Sequence, residues 1–240
     1  MKFSVQLYSL RDMIESGDDL LALFPKLKAL GFDGVEFAGY YDLPAHVIRA
    51  ALDAAGLAAT GCHVPLEHYT PENLQATLDF HKQLGLTTIG LGWAPHTDPE
   101  DCAETCAILS QAYAEAQKQG ITVYYHNHAT EFMPFDDGTL PMDMLKQACA
   151  LEVDTYWLHI AEVDAEQFLT ENAARVCHVH IKDGGEDTSS AALGEGDCDL
   201  HAVLRATKAL GLEWLILEDE TRHQGLDSVA KGMAWLKANV

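Results

Sequence analysis

Residues 28–37, KALGFDGVEF, read as the end of an amphipathic helix, a glycine and a short apolar run. A glycine just past a helix adopts the left-handed conformation that ends it. A short run of apolar, β-branched and aromatic residues is how a strand buried in a parallel sheet reads. The same punctuation returns at 53–63 (DAAGLAATGCH), 82–93 (KQLGLTTIGLGW), 116–126 (AQKQGITVYYH) and 208–218 (KALGLEWLILE). Its glycines are Gly31, Gly56, Gly85, Gly120 and Gly211, separated by 25, 29, 35 and 91 residues. The last interval holds about three more units of about 30 residues. Two strand-like runs fall inside it, ALEVD at 150–154 and RVCHVHI at 175–181, and FSVQLY at 3–8 opens the series.

Eight strand–helix units in 240 residues predict an α/β protein built as one (β/α)8 TIM barrel, a single domain over 1–240. Helix starts agree. Asp98-Pro99-Glu100-Asp101 and Thr70-Pro71-Glu72 each offer a capping side chain, a proline and acid, as the dipole at a helix start favours. Pro25, inside LLALFPKLKALG, is expected to kink or shorten the first helix. A doubly wound open sheet fits less well, because the first turn, LYSLRDMIESG, has no glycine-rich phosphate loop.

Composition narrows the function. With 48% hydrophobic residues the chain has a core to bury, unlike a disordered one. No apolar run approaches the roughly 20 residues of a membrane span. The first residues, MKFSVQLYSLRD, lack the apolar stretch of a signal peptide, so a cytoplasmic protein without a membrane partner is expected. Fifteen Lys and Arg against 37 Asp and Glu leave a net charge of −22, which repels phosphate backbones and argues against a nucleic-acid partner. Cys62, Cys102, Cys106, Cys149, Cys177 and Cys198 form no C-x-x-C pair and read as reduced thiols.

In such a barrel the chemistry lies at the carboxyl ends of the strands. Those positions are Glu36, Cys62-His63, Gly92-Trp93, His126-Asn127-His128 with Glu131 close behind, Asp154, the segment 178–183 and Glu218-Asp219-Glu220. Acid or imidazole ends four consecutive strands, and converging carboxylates repel one another unless a cation neutralises them. A divalent metal ion suits such a set: Mn2+ first, then Mg2+, Co2+ or Zn2+. His178 and His180 share strand parity, as do His126 and His128, so one of each pair can serve as a core histidine. Trp93 and Trp157 can pack or carry substrate.

The segments QLYSLRD, GFDGVEFAGYY, GCHVP, YYHNHATEF, LEVDTYWLH, HVHIKDG, LGEGDCDL and LILEDE together resemble the xylose isomerase-like barrel superfamily. The likeness is greatest to its sugar phosphate isomerase/epimerase group, which carries a Tyr-His-Asn-His-x-x-Glu-Phe segment. The resemblance implies one divalent metal held by Glu131, Asp154, His180 and Glu218. Relatives place a Glu directly at the end of strand 5, where this chain has His126, so His126 is the alternative to Glu131. Lys182 and His128 match positions that face substrate, with His63, Trp93, Trp157 and Glu36 as further substrate contacts. DNA-repair endonucleases of the same superfamily use three zinc ions and a basic face, which the charge here opposes.

The resemblance implies a sugar isomerase or epimerase that removes a proton beside a carbonyl, through a metal-stabilised enediolate. Glu131 and Glu218 are the candidate bases, with His126, His128 or Lys182 as proton donors. The same intermediate also serves a dehydratase or lyase on a keto-sugar, cyclitol or keto-glycoside, and a non-catalytic sugar-binding barrel is a further alternative. A neutral carbohydrate substrate is expected, since LGEGDCDL sets Glu195 and Asp197 beside its glycines and the cations near the site are Lys182 and Arg11. Self-association is compatible with the sequence.

Overall fold

The computed structural model describes residues 1–221 and 224–240. Eight parallel strands run in the order of the sequence reading: β1 Lys2–Gln6, β2 Gly34–Phe37, β3 Ala58–Cys62, β4 Thr88–Leu91, β5 Thr122–His126, β6 Ala150–Asp154, β7 Val176–Ile181 and β8 Trp214–Leu217. Each of β1 to β7 pairs with its neighbour except β3 with β4, and β8 lies between β7 and β1. A single bridge from His63 to Gly90 spans the β3–β4 seam, so the barrel is nearly closed. This is a (β/α)8 TIM barrel.

The outer layer is α1 Gly17–Leu30, α2 Ala45–Ala55, α3 Leu74–Leu84, α4 Pro99–Gln117, α5 Pro141–Ala148, the short α6 Thr155–Ile160 and α7 Ala165–Glu171, α8 Leu200–Leu210 and α9 Leu226–Asn239. All five punctuating glycines have positive φ, between 68° and 106°. Asp98 caps α4 by accepting from the Glu100 and Asp101 amides at 2.9 Å. Two local expectations fail. Helix α1 runs unbroken through Pro25, which sits on the exposed face where water can serve the carbonyl its missing N–H would have bonded. Helix α3 starts at Leu74 rather than at Thr70-Pro71, because residues 71–73 form a turn first and the Thr70 hydroxyl donates back to Glu67 O instead of capping. No helix among the described residues is long and apolar enough to cross a membrane.

The apolar core lies between the strands and helices, and the barrel interior is polar. Ser4, Gln6, Glu36, Thr60, Glu152, His178 and His180 are all buried there. Tyr124 crosses the interior beside Gly90 and Gly61. A Cβ on Gly90 would fall 2.1 Å from the Tyr124 ring, and one on Gly61 would fall 2.5 Å from its hydroxyl. Those glycines make room for an aromatic ring inside the barrel.

Candidate metal centre and active-site cavity

At the carboxyl end of the barrel, His126 of β5, Asp154 of β6, His180 of β7 and Glu218 just after β8 each present one ligand-type atom within 4.8 Å of the others. Local structure explains Asp154. It ends β6 and caps α6, accepting from the amides of Tyr156 and Trp157 through Oδ1 (2.9 and 3.0 Å). That leaves Oδ2 aimed across the barrel, 3.9 Å from both His126 Nε2 and Lys182 Nζ, buried and without a hydrogen-bond partner. Asn127 ties the ends of β5 and β6 together, its Oδ1 accepting from Asp154 N at 3.0 Å.

His180 Nδ1 lies 2.9 Å from Glu218 Oε2, and its Nε2 lies 2.6 Å from Glu36 Oε2. Lys182, 1% exposed, bonds Glu220, lies 3.9 Å from Glu218 Oε2, and sits 4.9 Å over the Trp157 ring. Burial and the Glu218 carboxylate push Asp154 up to about 6, although Lys182 opposes the rise. Burial also opposes charge on Glu218, yet Lys182 and His180 hold its carboxyl well below the usual range. Burial pushes His126 down to about 3, so its imidazole is neutral at physiological pH. Two carboxylates, a neutral imidazole and a partnerless buried oxygen fit a divalent cation, which needs deprotonated ligands and would supply Asp154 Oδ2 with its missing partner.

Above this group lies a cavity of about 390 Å3, lined by His63, Trp93, His126, His128, Trp157 and Glu218, among others. Trp93 stands 56% exposed at its rim. The Trp157 Nε1 and His128 Nδ1 atoms are buried without hydrogen-bond partners, the latter 3.9 Å from Glu131 Oε1. His128 and Trp157 rings lie 5.4 Å apart. Larger cavities of about 850 and 570 Å3 flank this one, sharing His63 and Trp93 respectively.

Three sequence-derived candidates do not take the expected place, and Lys182 is one, tied to carboxylates behind the ligand group and not lining the cavity. Glu131 belongs to none of the ligand groups found among the described residues. The short 3-10 turn Thr130–Phe132 swings it away from the group formed by His126, Asp154, His180 and Glu218. There it accepts from the His128 amide and the Tyr125 hydroxyl, both at 2.8 Å, and it does not line the cavity. His126 takes the place at the end of β5. Glu36, expected against substrate, is fully buried one layer deeper, accepting from Gln6 Nε2 (2.9 Å), Tyr124 OH (2.5 Å) and His180. The inward-pointing side chains of β2 meet those of β1 and β5 at that depth. His178 is the core member of its pair, facing Thr88 Oγ1 and Glu152 Oε1 at 3.3 Å.

Reading only strand ends missed Glu152. It lies fully buried two residues before Asp154 and faces four imidazoles: His63 (2.6 Å), His126 (3.2 Å), His180 (3.2 Å) and His178 (3.3 Å). The signal was present, since a charged residue within a buried strand, in phase with Asp154, must point inward.

The glycine-rich loop after β7 is also settled. The Asp183 carboxylate, fully buried, accepts from the amides of Gly184, Gly194, Gly196 and Cys198 at 2.8–3.2 Å. These donors are already engaged by an anion of the chain's own.

The sequence model of the family described as xylose isomerase-like TIM barrel matches residues 24–239. No curated protein matches the chain. Among solved structures, a sugar phosphate isomerase/epimerase from Parabacteroides distasonis ATCC 8503 is 22% identical, with a TM-score of 0.83 over 99% of this chain and 93% of that one. An AP endonuclease, family 2, from Brucella melitensis is 20% identical, with a TM-score of 0.76 over 99% and 98%. An L-ribulose 3-epimerase is 15% identical, with a TM-score of 0.77 over 100% and 94%. At these identities the likeness is one of fold.

Proposed function

The chain belongs to the xylose isomerase-like TIM barrel family, and on that footing we propose that it is a divalent-metal-dependent sugar isomerase or epimerase. The observation that carries the proposal is the convergence of His126, Asp154, His180 and Glu218 beneath the 390 Å3 cavity, with Asp154 Oδ2 unpartnered. These four would hold the cation. Two imidazoles with two carboxylates suit Mn2+, Co2+ or Zn2+ better than Mg2+, which favours oxygen ligands. When bound, such a cation would polarise a substrate carbonyl and offset negative charge developing beside it.

The chain's own groups do the rest. Glu218 lines the cavity, and its carboxyl is kept ionised by Lys182 and His180, so it is positioned to accept a proton from a substrate carbon. His128, half-buried on the cavity wall, is the candidate to return it. Lys182 is held as a cation by Glu218, Asp154 and Glu220, which outweigh its burial. It balances charge behind the floor. Trp157 and Trp93 offer flat faces, and Trp157 Nε1 a donor, to a sugar ring.

The substrate is a neutral carbohydrate. Asp183 already fills the loop amides that would otherwise hold a phosphate, and Lys182 is tied to carboxylates. The net charge of −22 also opposes the endonuclease branch.

The test is to incubate the Mn2+-loaded chain with ketoses and keto-glycosides in heavy water. Deuterium should enter the carbon next to the carbonyl, and Glu218→Gln should reduce the rate by about 100-fold or more. Binding of a sugar without exchange anywhere in the panel would favour a non-catalytic binding barrel.

A further inference from the structure

We infer that Glu152, one layer beneath the proposed cation site, is a positioning residue that fixes which ring nitrogen His180 and His126 turn toward the cation, with Glu36 sharing that role at His180. The inference rests on the functional reading above and adds the groups that prepare the ligands.

An ionised carboxylate only accepts hydrogen bonds, so a ring nitrogen facing one carries the hydrogen. A neutral imidazole then has its lone pair on the opposite nitrogen. His180 turns Nε2 to Glu36 (2.6 Å) and Glu152 (3.2 Å), and Nδ1 to Glu218 (2.9 Å), the one carboxylate of the three that belongs to the outer ligand group. His126 has Nδ1 3.2 Å from Glu152 Oε2, although the alignment falls short of a hydrogen bond, and Nε2 toward Asp154 Oδ2. Once a cation takes the place between Nδ1 and Glu218, the one hydrogen of a neutral His180 ring is left on Nε2, and both imidazoles would then present a hydrogen inward and a lone pair outward. His63 Nε2 and His178 Nδ1 meet the same carboxylate, at 2.6 and 3.3 Å. One buried carboxylate orients two ligands and braces the wall beside them. Carboxylates behind metal-bound histidines act in this way in other proteins, and losing one typically weakens metal binding about 10- to 100-fold.

A second cation held by His63, His126, Glu152 and His180 is the competing arrangement, since those atoms also lie within 4.8 Å of one another. It needs the inward nitrogens free of hydrogen, the reverse of the assignment made here.

The experiment uses the full chain with Zn2+ as the probe. Long-range 1H–15N spectra of the loaded protein should place hydrogen on His180 Nε2 and His126 Nδ1. Glu152→Gln, whose amide can donate to an imidazole as well as accept, should bind Zn2+ about 10- to 100-fold more weakly, still at one ion per chain. The reversed tautomers would overturn the inference, as would unchanged affinity in a folded Glu152→Gln protein or a second ion per chain lost in that variant. If the variant does not fold, the tautomers of the unaltered chain decide. An unaltered chain that binds no divalent cation would overturn the functional reading together with this one, whereas tight binding with reversed tautomers would overturn this one alone.

Discussion

Glu131 and His126 show how a short stretch of sequence can carry two readings. YYHNHATEF offers an imidazole at the strand end and a carboxylate five residues on. Only the backbone turn between them decides which one faces the barrel axis. That turn gives Glu131 a different role, in the wall beside the strand end. Burial opposes its charge, but hydrogen bonding from His128 and Tyr125 and the nearby His96 hold its carboxyl down to about 2. Unfolded, the group titrates near 4.5. Its charge therefore stabilises the fold fully above pH 4.5, and the contribution is lost as pH falls from 4.5 to about 2. At about 1.4 kcal/mol per pH unit, the contribution is on the order of 3 kcal/mol. Glu131→Gln should flatten the acid limb of a pH-dependent urea-denaturation series and leave one cation bound per chain, while His126→Ala should weaken cation binding sharply. Loss of the cation in Glu131→Gln would return the ligand role to Glu131.

Among the elements, those with strong local signals were legible. Glycine stops, the Asp98 cap and short apolar runs placed every barrel strand, because each signal is a local backbone requirement. Pro25 and the start of α3 were misread because solvent exposure and a preceding turn, both set by tertiary placement, decided them. The loop after β7 shows the same limit. Its acids near Gly194 and Gly196 argued against phosphate, but the residue that fills the amides is Asp183, on the far side of the loop. Asp183→Ala would leave four amides without their acceptor. It should destabilise the chain by about 2–3 kcal/mol in chemical denaturation. It should also speed hydrogen exchange at Gly194, Gly196 and Cys198. Unchanged exchange there would mean the loop is held by its other contacts.

At the scale of the molecule, the barrel gathers the ends of β5 to β8 into one polar centre, and the order of the strands along the chain was enough to foresee that gathering. The layer below it was not foreseen. Glu152 reaches His180 from the neighbouring β6, but Glu36 meets it only because the sheet curls, bringing β2 within reach of β7 across 144 residues of sequence. Strand parity shows which side chains face inward, but not at what depth they meet. The proposed chemistry depends on the four outer groups sharing one cation, and metal content tests this most directly. Elemental analysis after Mn2+ or Zn2+ loading and dialysis should give one ion per chain, and close to none in Glu218→Gln or His180→Ala proteins that remain folded. Full metal retained in both variants would contradict the proposed centre.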